Sequence, residues 1–452
     1  MPGGAAAQPA IGGGPDLLPR QPKSVEDTGL ERSLIVELIA KDMSIAGKTH
    51  LSGLTGALRL PINVLREALD FMVKEQLAEV AWRGASDVDV QYRLTAAGKQ
   101  RAAVCLERCA YVGPAPVTLE AYRAMAERQR QRQRVGAADV AAVFDDDDFD
   151  PGVLEQIGAA MHSGRSLFLY GPPGGGKSTL AGKLGALLPG MVALPHAVLV
   201  GQEIIALYDP ALHLPPAPPY ALQARQAQER RSGDARWTLC QRPVLRVGAE
   251  LCPEMLALRH DGYSGSYQAP LHLKANHGML VIDDLGRQRI AANELLQRYM
   301  QPLDAGLDQL TLRGGHKFSV PFDVLLVFAT NLAPQSLLDA SFLRRLGYKI
   351  HVGPLGARGY AALFRRQCRA ASLACDDAVV RHLLERLHGA SGRPLLASYP
   401  HELLGRVADF AGCAGLAPSL TVAALEQAWN SMFAACDMPA PGLAGDLCET
   451  IQ

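Results

Sequence analysis

Three kinds of hydrophobic pattern follow one another along the chain. Between residues 25 and 112, apolar residues at helical spacing predict short helices, and two alternating segments, 78–83 and 90–95, predict a β-hairpin. From residue 151, helical stretches alternate with short apolar runs that are typical of buried strands. After residue 355 only helical periodicity remains, in amphipathic segments near 357–371, 377–388, 401–411 and 421–433.

The alternation after residue 151 predicts an α/β fold, in which a parallel sheet is sandwiched by helices. The short helices and hairpin before it are similar to a winged helix-turn-helix, an α+β arrangement. We therefore divide the chain into a disordered tail (1–24), a winged-helix-like domain (25–112), a charged linker (113–150), an α/β domain (151–354), a helical segment (355–436) and a C-terminal tail (437–452).

The linker carries opposite charges in two successive runs. The charged residues are Arg123, Arg128, Arg130, Arg132 and Arg134, followed by Asp145, Asp146, Asp147, Asp148 and Asp150. Two interpretations stay open at this point. The linker is either a solvated connector or an electrostatic clasp within or between subunits.

Composition and charge narrow the function classes. The 452 residues suit about two to four domains. The 45 basic and 45 acidic residues balance each other, so the chain as a whole does not attract nucleic acid by its net charge. A local basic patch remains compatible with this balance. No apolar run approaches the roughly 20 residues that span a bilayer, and the N-terminus lacks the pattern of a signal peptide. Nine cysteines without a CxxC motif lead us to expect reduced thiols and a cytoplasmic protein.

A phosphate-binding loop is the strongest chemical signal. The stretch 166–170 reads as a buried strand, the sequence GPPGGGKS follows, and a helix is predicted from Thr179. Glycines let backbone N–H groups close around phosphates, and the helix start adds partial positive charge. We expect Lys177 to reach the β and γ phosphates and Ser178 to ligate Mg²⁺. The predicted nucleotide site comprises Gly171, Pro172, Pro173, Gly174, Gly175, Gly176, Lys177, Ser178 and Thr179.

Polar residues follow two further apolar strands. Asp283 and Asp284 come directly after the strand 279–282, and Asn331 comes shortly after the strand 324–329. Ligands of such sheets bind at the carboxyl ends of the strands. We therefore expect Asp283 to hold Mg²⁺, Asp284 to polarise the attacking water, and Asn331 to lie beside them.

These motifs occur together in one known family. GPPGGGKS, LVIDD, FATN and DASFLRRL stand in the order and at the spacing of AAA+ ATPases, which residues from about 150 to 436 resemble. The resemblance identifies them as Walker A, Walker B, sensor 1 and an arginine-finger segment with Arg344 and Arg345. It implies ATP hydrolysis with Mg²⁺, a homo-oligomeric ring, usually a hexamer, with ATP between protomers, and a helical lid over 355–436. A remodelled macromolecular partner, most simply a protein not yet identified, is also implied.

Two loops resemble those of a particular AAA+ group. Residues 310–320 read as a hairpin with a Gly-Gly turn before sensor 1, as in MoxR-like ATPases and sigma-54 activators. The loop 261–267 lies where these families carry an insertion that faces the ring pore. We expect contact with the partner through the hairpin tip and two tyrosines, namely Arg313, Gly314, Gly315, His316, Lys317, Tyr263 and Tyr267. Residues 190–236 form an additional insertion without an assigned role, with a hairpin around residues 201–202 and a Pro-rich loop at 214–219.

The chain also departs from the family pattern. Asp284 stands where the family usually has Glu, and the GAFTGA loop of the sigma-54 activators is absent. Because the side chain of Asp284 is shorter than that of Glu, an alternative function stays open. In this alternative the chain is a nucleotide switch that binds ATP but scarcely hydrolyses it. In the lid, His401 occupies the position of the sensor 2 arginine and is our predicted nucleotide contact there. Arg406 and Arg393 remain alternatives.

The N-terminal domain has two candidate roles. If it is a winged helix, residues 61–76 form the recognition helix, with Asn63, Arg66, Glu67, Asp70 and Lys74 facing outward. Acidic and basic residues are about balanced on this face, so phosphate attraction is weak. Protein docking or organisation of the ring is the first interpretation. Nucleic acid, in a transcriptional or DNA-remodelling ATPase, is the alternative partner.

Overall fold

The computed structural model describes residues 17–86, 88–130, 135–145, 149–218, 220–229, 233–337 and 340–433. The predicted fold class is confirmed, because a parallel sheet is flanked by helices and the phosphate loop joins one strand to a helix. The predicted C-terminal tail lies outside the described residues, as do most of the N-terminal tail and Arg132, Arg134, Asp146, Asp147 and Asp148.

The N-terminal part of the chain folds around its own apolar core. Its elements are α1 (Arg32–Ala46), β1 (Lys48–His50), α2 (Leu51–Leu58), α3 (Ile62–Lys74), β2 (Ala78–Arg83), β3 (Val90–Leu94) and α4 (Ala96–Arg108). The apolar faces of α1, α2 and α3 pack together with Tyr92 and Leu94 of the hairpin. The strands pair antiparallel in the order β1-β3-β2. The helices and the hairpin match the predicted elements, whereas β1 is too short for its pattern to be recognised.

The predicted disordered tail of 24 residues is wrong for its last part. Leu18 is buried and packs into a hydrophobic cluster with Val117 and Trp237. The carbonyl oxygen of Pro19 accepts a hydrogen bond from the backbone of Asp234 at 2.8 Å, and Arg20 forms a β-bridge with Gly233. This segment packs because Leu17 and Leu18 supply apolar surface to that cluster.

The linker is folded, so the solvated-connector interpretation is wrong for its first helix. Its elements are β4 (Val117–Thr118), α5 (Leu119–Gln129) and α6 (Ala137–Phe144). Tyr122 of α5 is buried, and its hydroxyl accepts a hydrogen bond from Asn276 Nδ2 at 2.8 Å. Arg123 donates to the carbonyl oxygen of Ser319 at 2.7 Å. An electrostatic clasp stays a prediction, since part of each charged run lies outside the described residues.

The central sheet carries the phosphate loop. The elements up to its third strand are α7 (Pro151–Ser163), β5 (Leu167–Tyr170), α8 (Lys177–Lys183), β6 (Met191–Pro195), β7 (Ala197–Val200), β8 (Glu203–Ala206), α9 (Tyr220–Glu229), β9 (Trp237–Gln241), β10 (Val244–Val247), β11 (Arg259–Asp261), β12 (Ser266–Gln268), α10 (Leu271–Lys274) and β13 (Met279–Ile282). The remaining elements are α11 (Ala292–Ala305), β14 (Leu307–Thr311), β15 (Lys317–Pro321), β16 (Leu325–Thr330), α12 (Pro334–Leu337), α13 (Ala340–Arg345) and β17 (Tyr348–His351).

Five strands form this sheet in the order β10-β13-β16-β5-β17, all of them parallel. The central strands β13 and β16 are buried along their whole length, which explains why they are apolar except for Thr330 at the end of β16. Separate hydrophobic clusters cover the two faces of the sheet. Parallel pairing brings the carboxyl ends of the strands to one edge, which places the loop after β5 beside the residues after β13 and β16.

Two strands of the insertion 190–236, β7 and β8, belong to a second five-stranded sheet of order β11-β12-β8-β7-β4, whereas its strand β6 pairs with β9. The hairpin predicted around residues 201–202 is formed by β7 and β8. The neighbouring strands come from the linker and from the loop before Walker B. Arg236 is buried and donates to the carbonyl oxygens of Thr28 and Pro116, both at 3.1 Å. The insertion therefore joins the N-terminal part of the chain to the α/β domain.

The chain ends in a helical bundle. Its helices are α14 (Ala357–Ala370), α15 (Asp377–His382), α16 (Gly389–Ser391), α17 (Tyr399–Cys413) and α18 (Val422–Phe433), with a π-helical turn between α15 and α16. These helices match the amphipathic segments predicted from the sequence. They close around Tyr360, Phe364 and Trp429. None of the helices in the described part of the chain is long and apolar enough to cross a membrane.

Candidate functional site

The phosphate loop curls over the end of β5 and needs its glycines. Gly174 and Gly176 have φ angles of 79° and 95°, a region that side-chain-bearing residues rarely adopt. A Cβ on Gly171 would lie 2.3 Å from the carbonyl oxygen of Val352, at the end of β17. A Cβ on Gly174 would lie 2.3 Å from Ser398 Oγ in the lid. The glycines thus allow both the turn and the close approach of two neighbouring segments.

Lys177 begins α8 and is held against the loop. Its Nζ donates to the carbonyl oxygens of Gly171 at 3.0 Å and Pro172 at 2.7 Å. Burial lowers the pKa of the ammonium, while the nearby carboxylates of Asp283 and Asp284 act in the opposite direction. The loop thus holds one cation close to the two acidic residues that follow β13.

Ser178 and Asp283 meet as the sequence predicts. Ser178 Oγ donates to Asp283 Oδ1 at 3.2 Å, although 105 residues separate the two. Hydroxyl and carboxylate oxygens are donors that Mg²⁺ prefers, and Mg²⁺ at such sites needs few protein ligands because phosphates and water supply the rest. Among the residues that the structure describes, no group of three or more His, Cys, Asp or Glu side chains is arranged to hold a metal. The pair fits Mg²⁺ bound together with a nucleotide.

Asp284 and Asn331 lie side by side after neighbouring strands. Asn331 Nδ2 is 3.5 Å from Asp284 Oδ1, and Asp284 is exposed while Asn331 is half-buried. Asp284 has a φ angle of 51°, a left-handed conformation that is uncommon for a residue with a side chain. The turn is held by Gln288, whose Nε2 donates to the carbonyl oxygens of Asp283 at 2.7 Å and Asp284 at 3.1 Å. Sequence reasoning missed Gln288, which no motif marks.

Arg246 is a second residue that the sequence did not reveal. It lies on β10, whose register places it opposite Val281. Its Nη2 donates to Asp283 Oδ2, so a fixed positive charge is paired with the carboxylate predicted to bind Mg²⁺. The only sequence signal is a charged residue inside an otherwise apolar strand.

Arg344 and Arg345 end α13, just before β17, and both are exposed. Arg345 Nε donates to Asp304 Oδ2 of α11 at 2.7 Å. Two residues of the predicted finger segment, Leu338 and Asp339, lie outside the described residues. The helix thus presents both arginines at the surface.

The three sensor 2 candidates lie in different surroundings. His401 is exposed in the first turn of α17, next to the segment in which Ser398 donates its backbone N–H to Gly174 at 3.1 Å. Arg406 pairs with Glu402 at 3.7 Å on the same helix. The guanidinium of Arg393 stands 3.9 Å from the centre of the Phe433 ring. Of the three candidates, His401 is nearest along the sequence to Ser398, the residue that contacts the phosphate loop.

A cleft of about 1070 Å³ opens beside the loop. Phe149, Tyr170, His351 and Gly353 line it, together with residues at the start of α7 and α14. The rings of Tyr170 and His351 are 5.2 Å apart. Phe149 lies directly against the loop, because a Cβ on Gly176 would be 3.3 Å from its ring. The sequence did not indicate this cleft, since its walls come from three separated segments.

The hairpin predicted before β16 is formed by β14 and β15, with the Gly-Gly turn between them. At the tip, Gly315 has a φ angle of 83°, and Arg313 to Lys317 are exposed. The prediction that Tyr267 is free to contact a partner is wrong. Its side chain is buried, and its hydroxyl accepts a hydrogen bond from the backbone of Arg313 at 3.0 Å. Tyr263 is 94% exposed.

A buried ionic cluster pins the base of this hairpin. Asp308 of β14 accepts hydrogen bonds from Arg298 at 2.6 and 2.7 Å and from His272 Nε2 at 2.7 Å. Burial by itself raises the pKa of Asp308. The hydrogen bonds from His272 and Arg298 outweigh burial and lower this pKa to about 2. Burial lowers the pKa of His272, so it stays neutral and donates through Nε2. The hairpin is thus tied to the helices on either side of β13.

The predicted recognition helix is α3. Asn63, Asp70 and Lys74 are exposed on it. Glu67 instead binds within the chain, where it accepts hydrogen bonds from the backbone of Val25 at 2.9 Å and from Arg32 at 3.2 Å. The free polar surface of this helix is therefore smaller than the sequence suggests.

Comparison with known proteins gives distant likenesses. A family model described as a domain of unknown function (DUF8689) matches residues 357–431, within the helical bundle, and no curated protein matches. Among solved structures, the chain is similar to NtrX from Brucella abortus in complex with ATP, with 13% identity, a TM-score of 0.38, and coverage of 68% of this chain and 59% of that one. It is also similar to the RuvB Holliday junction branch migration motor of Thermotoga maritima, with 14% identity, a TM-score of 0.34, and coverage of 67% and 73%. Neither likeness is close enough to carry an argument about function.

Proposed function

We propose that this chain is an ATPase of the AAA+ type, which binds ATP with Mg²⁺ and hydrolyses it to remodel a macromolecular partner. One observation carries the proposal. The phosphate loop, the Ser178–Asp283 pair and the Asp284–Asn331 pair come from separate segments and meet at one edge of the sheet. This is the arrangement that phosphoryl transfer needs, because catalysis there consists of positioning and of stabilising negative charge.

Each residue has a distinct role in this proposal. Backbone N–H groups of the loop and Lys177 bind the phosphates, and Ser178 and Asp283 hold Mg²⁺, which neutralises charge on the phosphate oxygens. Asp284 accepts a proton from the attacking water, and Asn331 orients that water or the carboxylate beside it. The cleft lined by Phe149 and Tyr170 accepts the base, since it is the aromatic-lined space adjoining the loop.

The assembly is part of the proposal. Arg345, with Arg344 beside it, is proposed to act on ATP bound by a neighbouring subunit in a ring. Their exposure at the end of α13 supports this role, and Asp304 would steady Arg345 before the subunits meet. The exposed hairpin tip and Tyr263 are proposed to contact the partner.

Phosphate release from ATP by the purified chain tests the proposal. Lys177→Ala removes the cation at the phosphates, so we expect a loss of about 100-fold or more, as is typical when a preorganised electrostatic group is removed. Lys183→Ala is the matched control, because it removes a lysine from the far end of the same helix. Equal rates for wild type and Lys177→Ala would disprove the site.

A second candidate, an ATP-binding switch with very slow turnover, is favoured by the geometry of Asp284. Its short side chain sits on a left-handed backbone and is only loosely contacted by Asn331. A switch would bind ATP tightly and release phosphate no faster in wild type than in Asp284→Asn.

A further inference from the structure

Arg246 and Asp283 face each other across neighbouring strands. Arg246 binds Asp283 Oδ2, while Oδ1 accepts hydrogen bonds from Ser178 Oγ at 3.2 Å and from the backbone of Asp284 at 3.0 Å. Both oxygens of the carboxylate assigned to Mg²⁺ are therefore already engaged. One of them is engaged by a permanent positive charge, because a guanidinium does not lose its proton in proteins.

The position of Arg246 allows its side chain to move away from Asp283. It projects from β10, which is the edge strand of the sheet. Its side chain is 49% exposed, whereas that of Asp283 is 13% exposed. Turning the guanidinium into solvent therefore uncovers little additional surface. Lys177 does not take its place at the carboxylate, since its ammonium is bonded to the loop carbonyls.

We propose, on the basis of the function proposed above, that Arg246 is an internal counter-cation that competes with Mg²⁺ for Asp283. The ion pair holds Asp283 in place while the site lacks metal, and it has to break before the carboxylate serves the metal. The chain thereby requires a higher concentration of free Mg²⁺ than the same site without Arg246. The opposite model, in which Arg246 positions Asp283 for the metal, predicts a change of the opposite sign.

Direct metal binding separates the two models without an activity assay. The probe is Mn²⁺, whose free form is counted by electron paramagnetic resonance, added to the full chain saturated with a non-hydrolysable ATP analogue. We expect Arg246→Ala to lower the half-saturating Mn²⁺ concentration about three- to fivefold, the range of a partly exposed ion pair. Arg246→Lys keeps the charge and should stay near wild type.

Arg287→Ala is the matched control, because it removes an exposed positive charge from the loop after Asp283 and leaves the ion pair intact. It should leave Mn²⁺ binding unchanged. Arg246→Gln, which keeps much of the side-chain length, should shift Mn²⁺ binding in the same direction as Arg246→Ala. Retained binding of the analogue in EDTA shows that each variant is folded.

Unchanged or weaker Mn²⁺ binding by both Arg246→Ala and Arg246→Gln overturns the inference. In that case a wild-type chain that binds Mn²⁺ with the analogue leaves the proposed function standing. A wild-type chain that binds no nucleotide at all removes the proposed function and this inference with it.

Discussion

Asp308→Asn should loosen the hairpin from the α/β domain. The carboxylate of Asp308 accepts three hydrogen bonds inside the protein, two from Arg298 and one from His272. Asn keeps the shape but loses the charge, and its amide hydrogens face donors. The hairpin amides should therefore open more often, while the fold around the phosphate loop remains.

The magnitude follows from the pKa of Asp308. Moving an aspartate pKa from 3.8 to about 2 corresponds to about 2 kcal/mol, or a factor of roughly several tens in an equilibrium. Removing one partner of a buried ion pair costs about 3–5 kcal/mol in other proteins. The lower figure applies here, because the Arg298 side chain is 27% exposed and can turn toward water.

The sign of the pH dependence is defined. Because folding lowers the pKa of Asp308, its contribution is complete above an unfolded-state pKa of about 3.9. The contribution is lost as pH falls from there through about 2. The difference between wild type and Asp308→Asn should therefore be largest near neutral pH and should shrink in this acidic range.

Hydrogen exchange of peptides covering β14 and β15, read by mass spectrometry, measures this opening. Asp377→Asn is the control, because it removes a carboxylate that is 76% exposed and pairs with Arg365 at the surface. Equal protection of the hairpin in Asp308→Asn and wild type at neutral pH would refute the reasoning. So would a difference that persists undiminished in acid.

Three further predictions concern the chemistry. Asp284→Asn should keep ATP binding and lose about 100-fold or more in phosphate release. Asp284→Glu should release phosphate faster than wild type, because the longer side chain reaches the attacking water better. Equal rates for wild type and both variants would show that another residue positions the water. Arg345→Ala should lose about 10³-fold or more in turnover with ATP affinity retained. Mixing this variant with Lys177→Ala should restore part of the rate. A wild-type chain that is fully active as a monomer would contradict the prediction. His401→Arg should tighten ATP binding in a fluorescence titration, and an unchanged affinity would remove His401 from the site.

The geometry of the candidate phosphate site could be predicted from the sequence because its parts are local. The loop between β5 and α8 is a continuous stretch, and its glycines, Lys177 and Ser178 are placed by the strand and helix that flank them. Asp283, Asp284 and Asn331 directly follow apolar strands, and parallel pairing leaves those strand ends on one edge. Helical periodicity likewise predicted the helices of the bundle after β17, which pack around one apolar core.

Only the tertiary structure decided which side chains from different strands and loops come into contact. Arg246 reaches Asp283 only because β10 pairs with β13 in one register, and the cleft beside Phe149 exists only where separated segments meet. Tyr267 looked like an exposed loop residue but is buried, because the insertion and the linker pair into a second sheet beside it. A sequence pattern records which face of an element is apolar, whereas the partner of that face depends on pairing between segments that are far apart in the chain.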